Sequence, residues 1–181
     1  MGSVIIRPQQ GDPGLASLAL VAGLAVYEAV LPCLANPAGL VLKWPNDLML
    51  NGAKLAGILL ERTDDAIVAG VGVNLVHAPD LPDRRTMALA DCGPAPDRDS
   101  FAQSLAAAFA SELLRWRRLG QESAIAHWLA VAHPEGTKLA VHPPGQEAVS
   151  GVFAGLAPDG ALRLRLADGA TRAIHAGDVF V

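Results

Sequence analysis

Aromatic residues make up only 4% of this 181-residue chain and charged residues only 18%, against 51% hydrophobic residues. A core with so few rings must be filled by Ala, Leu and Val, and at this length it is one good core with room for a small second module. The excess of acidic over basic residues, a net charge of −4, leaves no general positive field to draw in nucleic acid or an acidic membrane. Cysteine is scarce. Cys33 and Cys92 lie far apart, form no CxxC pair and rule out a disulfide scaffold, which points to reduced thiols in the cytoplasm. The longest apolar run, Leu15 to Tyr27, has 13 residues and contains Gly23. A membrane span needs about 20, so the run reads as a buried helix, with no signal peptide ahead of it.

Familiar catalytic patterns are missing as well. Gly52-Ala53-Lys54-Leu55 does not supply the GxxxxGK[ST] of a Walker A loop, and Gly70-Val71-Gly72-Val73-Asn74 is followed by Leu75 where GxGxxG requires glycine. The five histidines, His77, His127, His133, His142 and His175, show no HExxH or paired spacing, and no serine sits in a GxSxG elbow. Arg115-Trp116-Arg117-Arg118, followed by Gly120 and a further helix, superficially resembles a helix-turn-helix. In an acidic chain it reads as the solvated end of an amphipathic helix.

What the chain does have is a clear order of elements. Gly2 to Arg7 is a β-branched run stopped by Pro8, hence a strand. Asp12-Pro13 offers an N-cap and a first-turn proline for a helix from Leu15 to Leu31, ended by Pro32. Gly39 to Trp44 leads as a strand into Pro45, and Leu48 to Leu50 and Lys54 to Glu61 flank Asn51-Gly52, a dipeptide suited to a type I′ hairpin turn. With Ala66 to Leu75 these form an antiparallel meander, expected to have three strands. His77 to Arg98, with four prolines, is a long surface loop holding a short helical turn near Met87. Asp99 or Ser100 can cap a helix through Phe101, Leu105, Phe109, Leu113 and Trp116 that ends before Gly120, and a second helix follows over 122–132. Beyond Pro134 the pattern becomes short alternating strands, 138–142, 148–154, 161–166 and 171–174, separated by glycine turns. The expected architecture is α+β, a mixed or antiparallel sheet packed with helices over residues 1–133, and a small SH3-like β-barrel over residues 134–181.

The densest polar chemistry lies between Lys43 and Glu61. Cations among strand residues cost desolvation energy unless an anion meets them, so Lys43, Asn46, Asp47 and Lys54 read jointly as an anion site built into a sheet. A turn at Asn51-Gly52 pairs Leu50 with Ala53 and Met49 with Lys54. Strict alternation then puts Lys54 on the face of Ala56 and Ile58 and Gly57 on the other face, unless a bulge intervenes. A solvent-facing lysine and a polar turn at Asn46-Asp47 account for the same residues one at a time.

Several segments together resemble the biotin protein ligases. They are Ser3-Val4-Ile5-Ile6-Arg7-Pro8, the Ala-rich helix, Lys-Trp-Pro-Asn-Asp at 43–47, Lys-Leu-Ala-Gly-Ile-Leu-Leu-Glu at 54–61, Gly-Val-Gly-Val-Asn at 70–74, and the tail from Gly155 with Asp159-Gly160 and Gly177-Asp178-Val179. The resemblance implies activation of biotin with MgATP to biotinyl-5′-AMP, then transfer to a lysine of a biotin carboxyl-carrier domain. It makes Lys54 the catalytic lysine, an electrostatic stabiliser between the biotin carboxylate and the α-phosphate that is never itself acylated. It assigns Lys43, Trp44, Asn46, Asp47, Gly57, Gly70, Gly72 and Asn74 to ligand binding. Asn46 and Asp47 face the nucleotide, and Asp47 is a candidate partner of Mg2+ or of a lysine. The three glycines admit the backbone to biotin and adenylate, Asn74 holds the adenosine end, and Lys43 neutralises phosphate or pairs with Asp47.

One departure accompanies the matches. The family's Gly-Arg-rich loop, the Ser-Thr-Asn segment before it and the DNA-binding domain of some members all belong upstream of Ser3, so no DNA binding is expected of these residues, and Arg84-Arg85, lacking glycines and following the sheet, is not that loop. The alternatives are a noncatalytic homologue that binds a carrier domain or a nucleotide, and a lipoate-type ligase. A homodimer formed by an edge of the meander is a further expectation.

Overall fold

Val4, Ile5 and Ile6 favour extended backbone, and β1 (Gly2–Ile6) begins almost at the first residue. The computed structural model describes residues 1–181. After β1 the chain enters α1 (Leu18–Val30), then β2 (Leu40–Lys43), β3 (Asp47–Leu50), β4 (Ala53–Arg62) and β5 (Ile67–Val73). These strands form one antiparallel sheet in the order β1-β5-β4-β3-β2. The meander therefore has four strands, not three. Pro45 has no amide hydrogen to continue a ladder, so the chain turns at Trp44-Pro45-Asn46 and returns with Asp47 opposite Lys43. Asn51 and Gly52 adopt φ of 51° and 74°, the pair of positive values that a type I′ turn requires. β1 covers β5 and is the free edge, whereas at the β2 edge the Leu42 amide donates to the Val131 carbonyl at 2.9 Å.

Helix α1 is apolar all round and is buried between the sheet and the second long helix. It starts in a 3₁₀ turn, Leu15–Ser17, and Asp12 does not cap it. The Asp12 carboxylate instead accepts from Arg117 Nε at 3.0 Å and from the Gln9 amide at 2.9 Å, a charge-assisted bond outcompeting a neutral cap. Pro32 continues the helix as a 3₁₀ turn, Leu31–Cys33, instead of ending it. The apolar helical stretch Leu15–Cys33 is thus 19 residues, running past the 13-residue apolar run and the expected helix end at Leu31, and passes the length and composition test for a membrane crossing, but most of it is buried inside the protein.

The 77–98 segment carries its short helical turn at Leu89–Asp91. Helix α2 (Arg98–Ala130) is capped by Asp97, two residues before Asp99, the earlier of the expected caps, and its carboxylate accepts from the Ser100 amide at 2.9 Å. Gly120, at φ 82°, breaks α2 into the two helices expected. Phe101, Phe109, Trp116 and Trp128 are buried along it, and the Trp116 indole donates to Ser17 Oγ at 2.8 Å.

The second sheet contains β6 (Lys138–His142), β7 (Val149–Leu156), β8 (Leu162–Arg165), β9 (Thr171–Ile174) and β10 (Asp178–Phe180), antiparallel in the order β10-β6-β7-β8-β9. Only β10 escaped the sequence reading, since three residues give too short an alternation to register. Both sheets share one continuous core in which Leu42, Trp44 and Trp128 meet Leu139, Leu162 and Val179.

Candidate functional site

The site starts from an irregularity between β3 and β4. Leu50 pairs with Ala53 and Met49 with Lys54, as the turn dictates, but the next pairs are Leu48 with Ala56 and Asp47 with Gly57. One extra residue, Leu55, is accommodated in a bulge. Its effect is to bring Lys54 and Gly57, which strict alternation separates, onto the same face. Two asparagines hold the irregularity in place. Asn46 accepts from the Ile58 amide through its carbonyl at 2.9 Å and donates from its side chain to the Ile58 carbonyl at 2.7 Å. The Asn74 amide donates to the Leu55 carbonyl at 3.0 Å, and its side chain donates to the Met87 carbonyl at 3.0 Å.

Beyond the end of β5, residues 85–87 take the vacant place beside β4. The Lys54 amide donates to the Arg85 carbonyl at 2.8 Å, and the Met87 amide donates to the Lys54 carbonyl at 3.0 Å. Lys54 is therefore fixed through its backbone on both sides, by Met49 of β3 and by this segment.

The electrostatic centre is Asp47, only 4% exposed. Its Oδ2 lies 3.0 Å from Lys43 Nζ, and its Oδ1 forms an ion pair with Lys54 Nζ. A carboxylate this buried is stable as an anion only with such partners. Two ammonium groups on one carboxylate leave a net positive charge, and Lys54, the more exposed of the two lysines, presents it to solvent. Gly57 makes this reach possible. A Cβ there would lie 3.0 Å from Lys54 Cε and 3.1 Å from its Nζ, so the lysine crosses the sheet through the space that a side chain would fill. Gly57 is paired with Gly72, so neither strand contributes a side chain at that pair beside Lys54, while the Met1 side chain lies 3.5 Å from where a Cβ on Gly72 would be, and Gly70 faces the exposed Leu59.

The remaining expected site residues fall into two groups. Asn46 and Asn74 shape the bulge, as described. Lys43 and Trp44 turn toward the second sheet: Lys43 Nζ donates to the Val179 carbonyl at 2.8 Å and the Trp44 indole donates to the Gly160 carbonyl at 3.1 Å. Both are thus joints between the sheets, and Lys43 also pairs with Asp47. Asp47 has an ammonium group at each oxygen, and no cluster of three or more His, Cys, Asp or Glu side chains is positioned to hold a metal ion. The side chains do not fit a resident magnesium site.

A cavity of about 240 Å³ opens over Lys54 and Asp47, walled by Lys43, Arg84, Arg85 and His133. The last three were absent from the sequence-derived site. The Arg84-Arg85 dipeptide is visible in the sequence, but only the backbone bonds around Lys54 bring it to the hairpin. His133 is half-buried with Nε2 unpartnered, and burial, reinforced by the nearby Lys43 charge, lowers its pKa, which favours neutral imidazole.

Residues 1–75 match the model of the biotin/lipoate A/B protein ligase family, and residues 141–181 match that of the biotin protein ligase C-terminal domain. A biotin–[acetyl-CoA-carboxylase] ligase of Paracoccus denitrificans is 36% identical over 190 residues, an alignment covering 99% of this chain and 78% of the relative. Its counterpart in Mycobacterium tuberculosis is 38% identical over 164 residues, covering 90% of this chain, which spans 61% of that relative's length. Among solved structures, the apo biotin protein ligase of Aquifex aeolicus superposes with a TM-score of 0.83 at 22% identity, over 98% of this chain and 80% of that one. The same enzyme in complex with biotin and ATP gives 0.81 at 23% identity, over 98% and 75%. These structures share the fold, and the Paracoccus relative, covered over more than three quarters of its length, shows that this chain belongs to the biotin protein ligase family.

Proposed function

We propose that the chain carries the adenylating centre of a biotin protein ligase, which joins biotin to ATP and passes the biotinyl group to a lysine of a biotin carboxyl-carrier domain. The observation that carries this reading is the Lys54 ammonium, held by buried Asp47 beside the Gly57–Gly72 strip, where neither strand contributes a side chain of its own. Such a strip accepts a flat ligand against the backbone, and the ammonium meets its anionic end. In the first step a biotin carboxylate oxygen attacks the α-phosphorus of ATP, and the bond to pyrophosphate breaks. Both reactants are anions. A fixed cation between them offsets their repulsion most where charge builds up on the α-phosphate oxygens. In the second step the carrier amine attacks the acyl carbon, AMP leaves with the electron pair of the C–O bond, and the amine proton passes to solvent. Magnesium enters as the companion of the nucleotide.

Residues 1–133 are read as the catalytic domain and residues 134–181 as an SH3-like barrel, working in the cytoplasm without DNA or membrane. Dimerisation through a sheet edge would use β1, the free edge away from the Lys43 joint. The match of residues 141–181 to the biotin ligase C-terminal domain favours biotin over lipoate. The test is incubation of the full chain with biotin, magnesium and α-labelled ATP, and the expected result is labelled biotinyl-5′-AMP that lipoate does not suppress. No adenylate, together with carrier binding by calorimetry, would instead make it a noncatalytic binding protein.

Gly57→Ala should separate stability from activity. The added methyl meets only the flexible end of Lys54, so unfolding by urea should shift by less than about 1 kcal/mol. The displaced ammonium should slow adenylate formation by about tenfold. Equal rates in the two proteins would remove the reach across Gly57 from the mechanism.

A further inference from the structure

The cavity over Lys54 contains a basic side chain that the adenylation step described above does not use. Arg84 lines it alongside Lys43 and Lys54, with its side chain 29% exposed. Its place is set by backbone: the next residue, Arg85, accepts from the Lys54 amide, and Met87 donates back to the Lys54 carbonyl. The backbone that carries Arg84 is therefore anchored, through the next residue, to the same residue whose ammonium faces the reacting centre. Its ionic partner is Asp83, reached from Nε at 2.9 Å, and that carboxylate is half-exposed. A pair of this kind between adjacent residues in water is weak, so the guanidinium can be recruited by a stronger anion without loss to the fold.

The side-chain charges in the cavity wall are unbalanced. Lys43, Lys54, Arg84 and Arg85 stand against Asp47 and Asp83. Asp47 balances only one of the two lysines and Asp83 only one of the two arginines, so an excess of positive charge on Lys54 and the arginine pair is left to meet a ligand. Val179 and Phe180 of β10 line the same cavity as Arg84 and the hairpin residues Asp47 and Lys54, so Arg84 stands where the hairpin and β10 meet, and its hydrogen bond to Asp83 raises its pKa. A planar fork of donors matches the geometry of a phosphate, whereas a lysine offers only a point charge.

We propose that Arg84 is the binding residue for the β- and γ-phosphates, the part of the nucleotide that departs as pyrophosphate, and that Asp83 holds its guanidinium in place until the polyphosphate arrives. This rests on the adenylation reading and adds to it a division of labour, with Lys54 at the bond being made and Arg84 at the group that leaves. Arg85, exposed at the cavity rim, contributes a weaker, screened attraction.

Calorimetric titration of inorganic pyrophosphate into the full chain tests this, with Arg84→Gln, Arg85→Gln and, as a control on an exposed arginine at the far end of β4, Arg62→Gln. Losing a charge-assisted fork should weaken pyrophosphate binding by about 10- to 50-fold in Arg84→Gln. Arg85→Gln should weaken it about threefold and Arg62→Gln not at all, with unchanged thermal midpoints showing that each variant is folded. Wild-type protein that does not bind pyrophosphate, or Arg84→Gln that binds it as tightly as wild type, overturns the proposal. Pyrophosphate bound through Arg84 in a chain that makes no biotinyl-adenylate would sink the ligase reading and leave the anion site standing. Adenylate formed by Arg84→Gln with an unchanged KM for ATP would do the reverse.

Discussion

Asp47→Ala is expected to lower folding stability by about 3 kcal/mol, a substantial fraction of the roughly 5–15 kcal/mol by which folded domains are stable. The substitution removes the single carboxylate shared by two ammonium groups. The cost falls unequally on them. Lys54 can swing into the cavity and recover water. Lys43, its side chain 11% exposed, keeps the Val179 carbonyl but has no counterion in the joint between the two sheets. Loss of the Lys43 position would also loosen β10, so the second sheet should lose hydrogen-exchange protection along β10 and β6 before the first sheet does. Urea unfolding followed by tryptophan fluorescence measures the global term, because Trp44 is buried at that junction. Asp47→Asn should cost less, since an amide oxygen can still accept from one ammonium. Combining Asp47→Ala with Lys43→Met should recover part of the loss by withdrawing the unpaired buried charge. A single-mutant loss below about 1 kcal/mol would mean that both lysines reach water unaided.

The chain shows unevenly how far such a site can be read from sequence. Asn51-Gly52 announces its turn locally, because two adjacent residues must take positive φ, and from that turn the Leu50–Ala53 and Met49–Lys54 pairs follow by counting. The bulge at Leu55 does not follow. Nothing in Lys54-Leu55-Ala56 distinguishes it from regular strand, and it is held by Asn46 and Asn74, outside the hairpin that it distorts. The KWPND and KLAGILLE segments therefore name the family, while the shared face of Lys54 and Gly57 needs the fold. Lys43 and Trp44 show the same limit. Their sequence neighbours point to a ligand, yet their donors reach Val179 and Gly160, more than a hundred residues away. The diversion of Asp12 to Arg117 and the three-residue β10 are likewise decided by partners distant in sequence.

Lys54→Met should reduce the rate of biotinyl-adenylate formation by about 10²- to 10³-fold, the usual consequence of deleting one fixed charge from a site where charge develops in the transition state. Methionine is the informative replacement because it keeps an unbranched apolar stem in the space over Gly57 while removing the ammonium. Asp47 retains Lys43 at 3.0 Å, so the variant should remain folded, with a stability loss well below that of Asp47→Ala. The defect should fall mainly on kcat, because the ammonium matters most once the carboxylate and the α-phosphate are driven together, and only modestly on the KM for biotin. Lys54→Arg should not rescue it. The gap over Gly57 is sized for an ammonium, with its Cε and Nζ at 3.0 and 3.1 Å from where a Cβ would be, and a guanidinium is broader and must leave either that gap or the Asp47 oxygen. If Lys54→Met instead retained adenylation within threefold, the positive charge would have to come from Lys43 or the arginines of the cavity wall. Arg84→Gln would then be the variant that abolishes the reaction, which is the outcome that separates the two cations by experiment.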